Sequence, residues 1–204
     1  MEMRKQSFIR GTFVLTASAL VTRVLGFVNG ILLARFLGQE GVGLLMIAHP
    51  LLPLFITITE LGLPPAISKL VSEAEVRGDA ARVKKILVVS LSVTGILSVA
   101  LTLLALFGAR WIAAVFLPDQ RAYYAMIALT PIIPIVAITA VLRGYFRGKQ
   151  NLNPLALSEI FENLVQIAVV IGVVNWLLPY GVEYAAAGAM ISAVLGEGAG
   201  LLFL

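Results

Sequence analysis

The chain of 204 residues is 60% hydrophobic and 13% charged, against roughly 45 to 50% and 25% in soluble globular domains, which excludes a water-facing surface all round and marks a membrane protein. Its net charge of +4 comes from basic residues set between apolar segments, so it reads as a topology signal and excludes nucleic-acid binding as the function. No cysteine is present and His49 is the only histidine, which removes disulfides, Cys-based metal sites and any inference about redox compartment.

A bilayer core of about 30 Å takes about 20 apolar residues in a helix. Six stretches qualify, at about 8–36, 42–71, 86–107, 123–142, 154–178 and 184–204. The first follows a basic start like that of a secretory signal, but its apolar run continues without a cleavage site and polar mature sequence, so a membrane helix is predicted. The second contains Pro50, Pro53, Pro64 and Pro65, so it is expected to be bent or broken. The fifth opens with Asn153 as N-cap and Pro154 at the first helical position. The sixth ends in GLLFL, apolar to the last residue with no basic flank; the expectation is a fragment, or a chain cut at the end of a structural half.

Eleven of the fifteen basic residues lie at or before the start of the first segment, at or after the end of the second and after the fourth, whereas the alternate connections hold only Arg110 and Arg121. That bias places the N-terminus and the end of the sixth segment in the cytoplasm. In this reading RGYFRGK, residues 143 to 149, is a juxtamembrane anchor with two aromatics at the headgroup level.

A charge at the centre of a membrane helix costs about 2.5 to 3.5 kcal/mol on insertion scales, and such residues face a bundle interior or a wet cavity. Arg23 stands about 22 Å along the first segment from Phe8. It shares a stripe with Thr12, Thr16, Ala19, Gly26 and Gly30 at helical spacing. Either that stripe is a close helix contact with Arg23 paired to a structural carboxylate, or it is a cavity wall where the planar guanidinium meets an anionic ligand such as phosphate. Arg35, near the outer end, is expected to snorkel.

In the second segment Glu60 precedes LGLPP and is a candidate for pairing with Arg23 or with a coupling cation. His49 on the same segment is a weak candidate proton carrier. The fifth segment carries Glu159, Glu162, Asn163 and Gln166 on one arc. Its first two carboxylates suit a solvated helix start, but the stripe continues a turn deeper, which a hydrated cavity explains better. Glu197, within LGEGAG, is a partner for an arginine or an ion site. No phosphate-binding loop, metalloprotease or serine-nucleophile motif occurs, so no enzyme, no metal and no cofactor is expected beyond an unidentified coupling cation.

GTFVLTASALVTRVLGFVNGILLARFLGQEGVGL, LGLPPAISKLVSEAEVRGD, ITAVLRGYFRGKQNLNPLALSE and LPYGVEYAAAGAMISA resemble the family of polysaccharide exporters to which stage V sporulation protein B belongs, within the multidrug, oligosaccharidyl-lipid and polysaccharide exporter superfamily. The resemblance spans nearly the whole chain. It implies an all-α bundle of two lobes around a central cavity, of which these six helices form the N-terminal lobe with the C-terminal lobe absent, and alternating access that moves a lipid-linked sugar outward across the plasma membrane.

More distantly, TRVLGF and ARFLG are similar to the opening of the lipid II flippases. That likeness implies a cavity-facing arginine at Arg23 and a second-helix carboxylate at Glu60. Two further positions of those flippases, an arginine and an acidic residue, align with Asn29 and Leu44, so the likeness does not extend to the whole substrate-binding set.

The expected function is therefore a flippase lobe, with Arg23 attracting a polyprenyl pyrophosphate and Glu60 with the Glu159 to Gln166 face bonding to sugar. A cation-coupled multidrug antiporter of the same fold, a membrane enzyme acting on polyprenyl phosphates, and a non-transporting scaffold of a cell-envelope complex are the alternatives.

Overall fold

The computed structural model describes residues 2–50, 53–54, 57–58, 62–116 and 119–204, with the side chains of 2–12 and 116 outside the description. Every regular element among them is helical: α1 (Glu2–Ala48), α2 (Leu63–Val76), α3 (Ala80–Phe116), α4 (Ala122–Leu129), α5 (Ile132–Gly148), α6 (Asn153–Leu177), a 3₁₀ turn (Leu178–Tyr180) and α7 (Val182–Phe203). Helices are what these sequences must form in lipid, where no water is at hand for an unpaired backbone group.

Among the described residues five spans are long and apolar enough to cross a membrane: Phe13–Ala48, Ala80–Val115, Ala122–Gly148, Asn153–Tyr180 and Val182–Phe203. The middle of the second expected segment, Glu60 included, lies outside the described residues.

Two residue types break the long helices. Gly38 takes φ 64°, ψ −170° inside α1, a left-handed φ that glycine adopts without a β-carbon penalty, and the chain turns there. Pro131 separates α4 from α5 within one expected span, because proline has no N–H to continue the ladder. Thr130 fills the gap, its N–H bonding Ile127 O at 3.1 Å and its hydroxyl Met126 O at 3.1 Å. At the start of α6 the helix begins at Asn153 itself, with Leu152 preceding it and no side-chain cap bond. The expected Asn153 cap is thus displaced by one position, and Pro154 still sits in the first turn, where its missing N–H costs nothing.

The helices meet through small residues, as expected where lipid supplies no hydrophobic drive and close backbone approach supplies the contact. On α7 a β-carbon at Gly196 would stand 2.9 Å from Gln166 Cβ and 3.0 Å from Glu162 O, and one at Gly188 would stand 2.8 Å from Leu177 Cδ1. On α5 one at Gly144 would stand 2.8 Å from Pro64 O, and one at Gly148 2.7 Å from Val71 Cβ. Those contacts clamp α7 to α6 and α5 to α2. Around them lie apolar cores centred on Leu129, Ile133 and Met190, on Val170 and Val174, and on Ile67, Val71 and Val141.

Candidate functional site

The α6–α7 clamp brings two acidic residues of different helices side by side. Glu162 on α6 and Glu197 on α7 both meet Arg143 of α5, whose Nη2 lies 3.3 Å from Glu162 Oε2 and 3.5 Å from Glu197 Oε1. Only the first contact has hydrogen-bond geometry; Glu197 Oε1 and Arg143 Nε are buried without a hydrogen-bond partner. Two carboxylates and one guanidinium carry a net negative charge when all are ionised, in a setting where each charge is largely withdrawn from water. Glu197 is only 8% exposed.

The two carboxylates line a cavity of about 300 Å³ with Gln166 of α6, Asn29 of α1 and His49 just beyond α1. Asn29 Oδ1 is buried with no hydrogen-bond partner, an unsatisfied acceptor on a residue of the cavity wall. Leu33, Leu45, Ile132, Val136, Ala189, Met190 and Ala193 complete the walls. The cavity is therefore apolar on most sides, with its polar groups converging from several helices, as a binding site requires. It can hold a small cation or proton among its carboxylates, or the polar end of a ligand.

Glu162, Gln166, Glu197 and His49 thus come together from positions far apart in the chain, and Glu197 has an arginine partner, one of the two roles open to it from the sequence. Glu159 and Asn163 do not line the cavity; Asn163 Nδ2 instead donates to Glu159 O within α6. Arg143, read from the sequence as a juxtamembrane anchor, instead meets the two cavity carboxylates, because α5 runs on to Gly148 and leaves Arg143 more than a turn inside its end. Asn29 was also missed as a site residue; its four-residue spacing to Leu33, which lines the same cavity, is the signal that the two share a helix face.

Arg23 stands elsewhere. It is exposed, makes no salt bridge within 4 Å among the described residues, and shares its outward side with Gly26 and Gly30, at which an added β-carbon would find nothing within 4 Å. The part of the stripe from Ala19 to Gly30 is therefore open and is not a packed helix contact within the described residues. Arg35 is likewise exposed, one turn before the Gly38 kink. Glu60, expected to join Arg23, lies outside the described residues.

Comparison with known proteins agrees with this architecture. The chain is 55% identical over 99% of its length to stage V sporulation protein B of Bacillus subtilis (strain 168), covering 39% of that protein. It is 28% identical over 96% of its length to the lipid II flippase MurJ of the same organism, covering 38% of it. The chain thus spans about two fifths of the length of these relatives. Its fold matches the outward-facing conformation of a multidrug resistance MATE family transporter of the MOP superfamily with a TM-score of 0.77 at 20% identity, over 95% of this chain and 43% of that one. The profile of the family described as polysaccharide biosynthesis protein matches residues 8–204, and the chain belongs to that family.

Proposed function

We propose that this chain is the N-terminal lobe of a flippase of the plasma membrane, which exports a polyprenyl-pyrophosphate-linked saccharide by alternating access. Its N-terminus lies in the cytoplasm, as the distribution of basic residues favours. The observation that carries the reading is Arg23: a permanent cation on an open, small-residue face of a membrane-spanning helix, without a protein counter-charge among the described residues. A guanidinium so placed is costly unless an anion or water meets it, and its planar fork fits phosphate oxygens in pairs. The names of two relatives, a sporulation protein and a lipid II flippase, are in keeping with a lipid-linked cell-envelope saccharide as cargo. Transport of that kind makes and breaks no bond, so it needs no catalytic constellation.

The cavity around Glu162 and Glu197 supports a second element, coupling to a cation or proton. Its acceptors without a hydrogen bond, Glu197 Oε1 and Asn29 Oδ1, are suited to a cation, and a cation-coupled antiporter of the same fold would use them equally. The two readings part at Arg23.

The test is transbilayer movement of a labelled polyprenyl-pyrophosphate glycolipid in proteoliposomes containing the full-length protein. Arg23→Ala is expected to lower the rate by about tenfold or more, the worth of one or two charge-assisted hydrogen bonds, while Arg23→Lys retains part of it. Equal rates for Arg23→Ala and the parent remove Arg23 from the substrate site. Export of an amphiphilic cation driven by a sodium or proton gradient, with no glycolipid movement, would establish the antiporter.

A further inference from the structure

At the end of α3 away from Lys84 and Lys85 the surface carries a second pocket, of about 350 Å³, lined by Arg110, Ala113, Ala114, Gln120, Tyr123 and Tyr124. Arg110 lies about 37 Å along the helix from Lys85, a little more than one hydrocarbon thickness, which sets it at the headgroup level of the opposite membrane face. Trp111 beside it is 66% exposed, and Trp is enriched at that depth. Of the acidic groups at this end of the bundle, Asp119 and Glu40 are held by Arg121, and Glu183 lies in the first turn of α7. Arg110 itself makes no salt bridge within 4 Å among the described residues.

The helix leading to the pocket has a matching apolar surface. Leu103, Leu106 and Phe107 fall within about 60° of Arg110 around the helix axis, and all three are exposed, Phe107 by 86%. Read along α3 from mid-membrane outward, this one face goes from bare apolar side chains to a cation with an adjoining cleft. That order, chains inward and anion outward, is the layout of a phospholipid in the leaflet on that side.

We infer that this pocket binds the phosphate of an anionic bilayer phospholipid, with Arg110 as its charge partner, the Gln120 amide and the Tyr123 and Tyr124 hydroxyls as neutral donors, and the acyl chains along Leu103, Leu106 and Phe107. Ala113 and Ala114 are small enough to leave the cleft open. The site is independent of the identity of the cargo and stands on the opposite side of the membrane from the juxtamembrane cluster of Arg147 and Lys149.

The full-length protein, delipidated in detergent, is titrated with phosphatidylglycerol and read by native mass spectrometry. Arg110→Gln is expected to lose one retained lipid, its affinity falling by about tenfold. Ala114→Phe, which fills the cleft and leaves the arginine in place, has the same effect. Both positions are exposed, so the variants fold, as their unchanged melting temperatures without lipid will record. Phosphatidylcholine and inorganic phosphate are the comparison probes; neither is expected to match phosphatidylglycerol in occupancy. Equal retention of phosphatidylglycerol by parent and Arg110→Gln overturns the assignment. So does full occupancy by inorganic phosphate alone, which would make the pocket a site for a free anion.

Discussion

Arg143 holds Glu162 and Glu197 at 3.3 and 3.5 Å, and each of the three side chains is less than one third exposed. Removing the guanidinium leaves two neighbouring carboxylates with no counter-charge in a cavity of low dielectric, and breaking a buried pair in this way typically costs about 3 to 5 kcal/mol. Arg143→Met is therefore expected to lower the melting temperature of the protein markedly, and Glu197→Gln in the same chain to recover much of the loss, since it removes one of the two abandoned charges. A double-mutant cycle by thermal unfolding in detergent measures this, and strictly additive effects would mean that Arg143 and Glu197 do not interact. At the opposite end of the bundle Asp119 gives a pH-dependent counterpart. The hydrogen bond from the Arg121 side chain, then that from its backbone N–H, hold the Asp119 carboxyl below the usual carboxylate range. A carboxyl whose pKa is lower folded than unfolded adds stability above its unfolded value of about 3.9, and that contribution is lost as pH falls through the folded value. The melting-temperature gap between the parent and Asp119→Asn should accordingly be steady from pH 8 to about 5 and close below about pH 4. A gap that stays open in acid would locate the effect of Asp119 in something other than its charge.

The element that sets the cavity's shape is the α6–α7 pair, and its closeness rests on glycine. At Gly196 a β-carbon would meet Gln166 Cβ at 2.9 Å and Glu162 O at 3.0 Å, one contact being with backbone that cannot step aside without moving α6. Gly172, on α6 itself, has nothing within 4 Å. Gly196→Leu should thus push the helices apart, destabilise the protein by the 1 to 3 kcal/mol or so typical of overpacking, and separate Glu197 from Arg143. Gly172→Ala should be neutral or slightly stabilising. Melting temperatures of the two variants decide it, and equal effects would show that helix propensity, not the close contact, governs this pair. The cavity was only partly legible in the sequence for the same reason. A stripe at helical spacing disclosed Glu162 and Gln166, because period 3.6 is a property of one helix. Their meeting with Glu197, His49 and Asn29 depends on which faces of different helices touch, and that is decided by glycine positions whose partners a sequence does not show. Arg143 was misplaced because counting basic residues treats every one near a helix end as a topology marker. The length of α5 beyond Leu142, sustained by Gly144 and Gly148 against α2, turns it inward. The helical class and the break points were easier, since long apolar runs and Pro131 act through the local backbone.

For the molecule as a whole, both the open face around Arg23 and the lipid pocket at Arg110 acquire their meaning from the way the bundle stands in the membrane. α3 is 37 residues long, about 55 Å at 1.5 Å per residue, so it exceeds a hydrocarbon core of about 30 Å and must present its two ends to opposite aqueous phases. Lys84 and Lys85 are near its beginning; Arg121 and Gln120 follow its end. Basic residues favour the cytoplasmic side, and the imbalance between the two sets of connections predicts that Lys84 faces the cytoplasm and Gln120 the exterior. The chain contributes no cysteine, so single cysteines placed at these exposed positions report alone from this region. With a membrane-impermeant maleimide, Gln120→Cys should label in intact cells, and Lys84→Cys only after the membrane is opened. The reverse pattern would invert the bundle, put the Arg110 pocket in the cytoplasmic leaflet, and require the direction proposed for the cargo to be reversed with it.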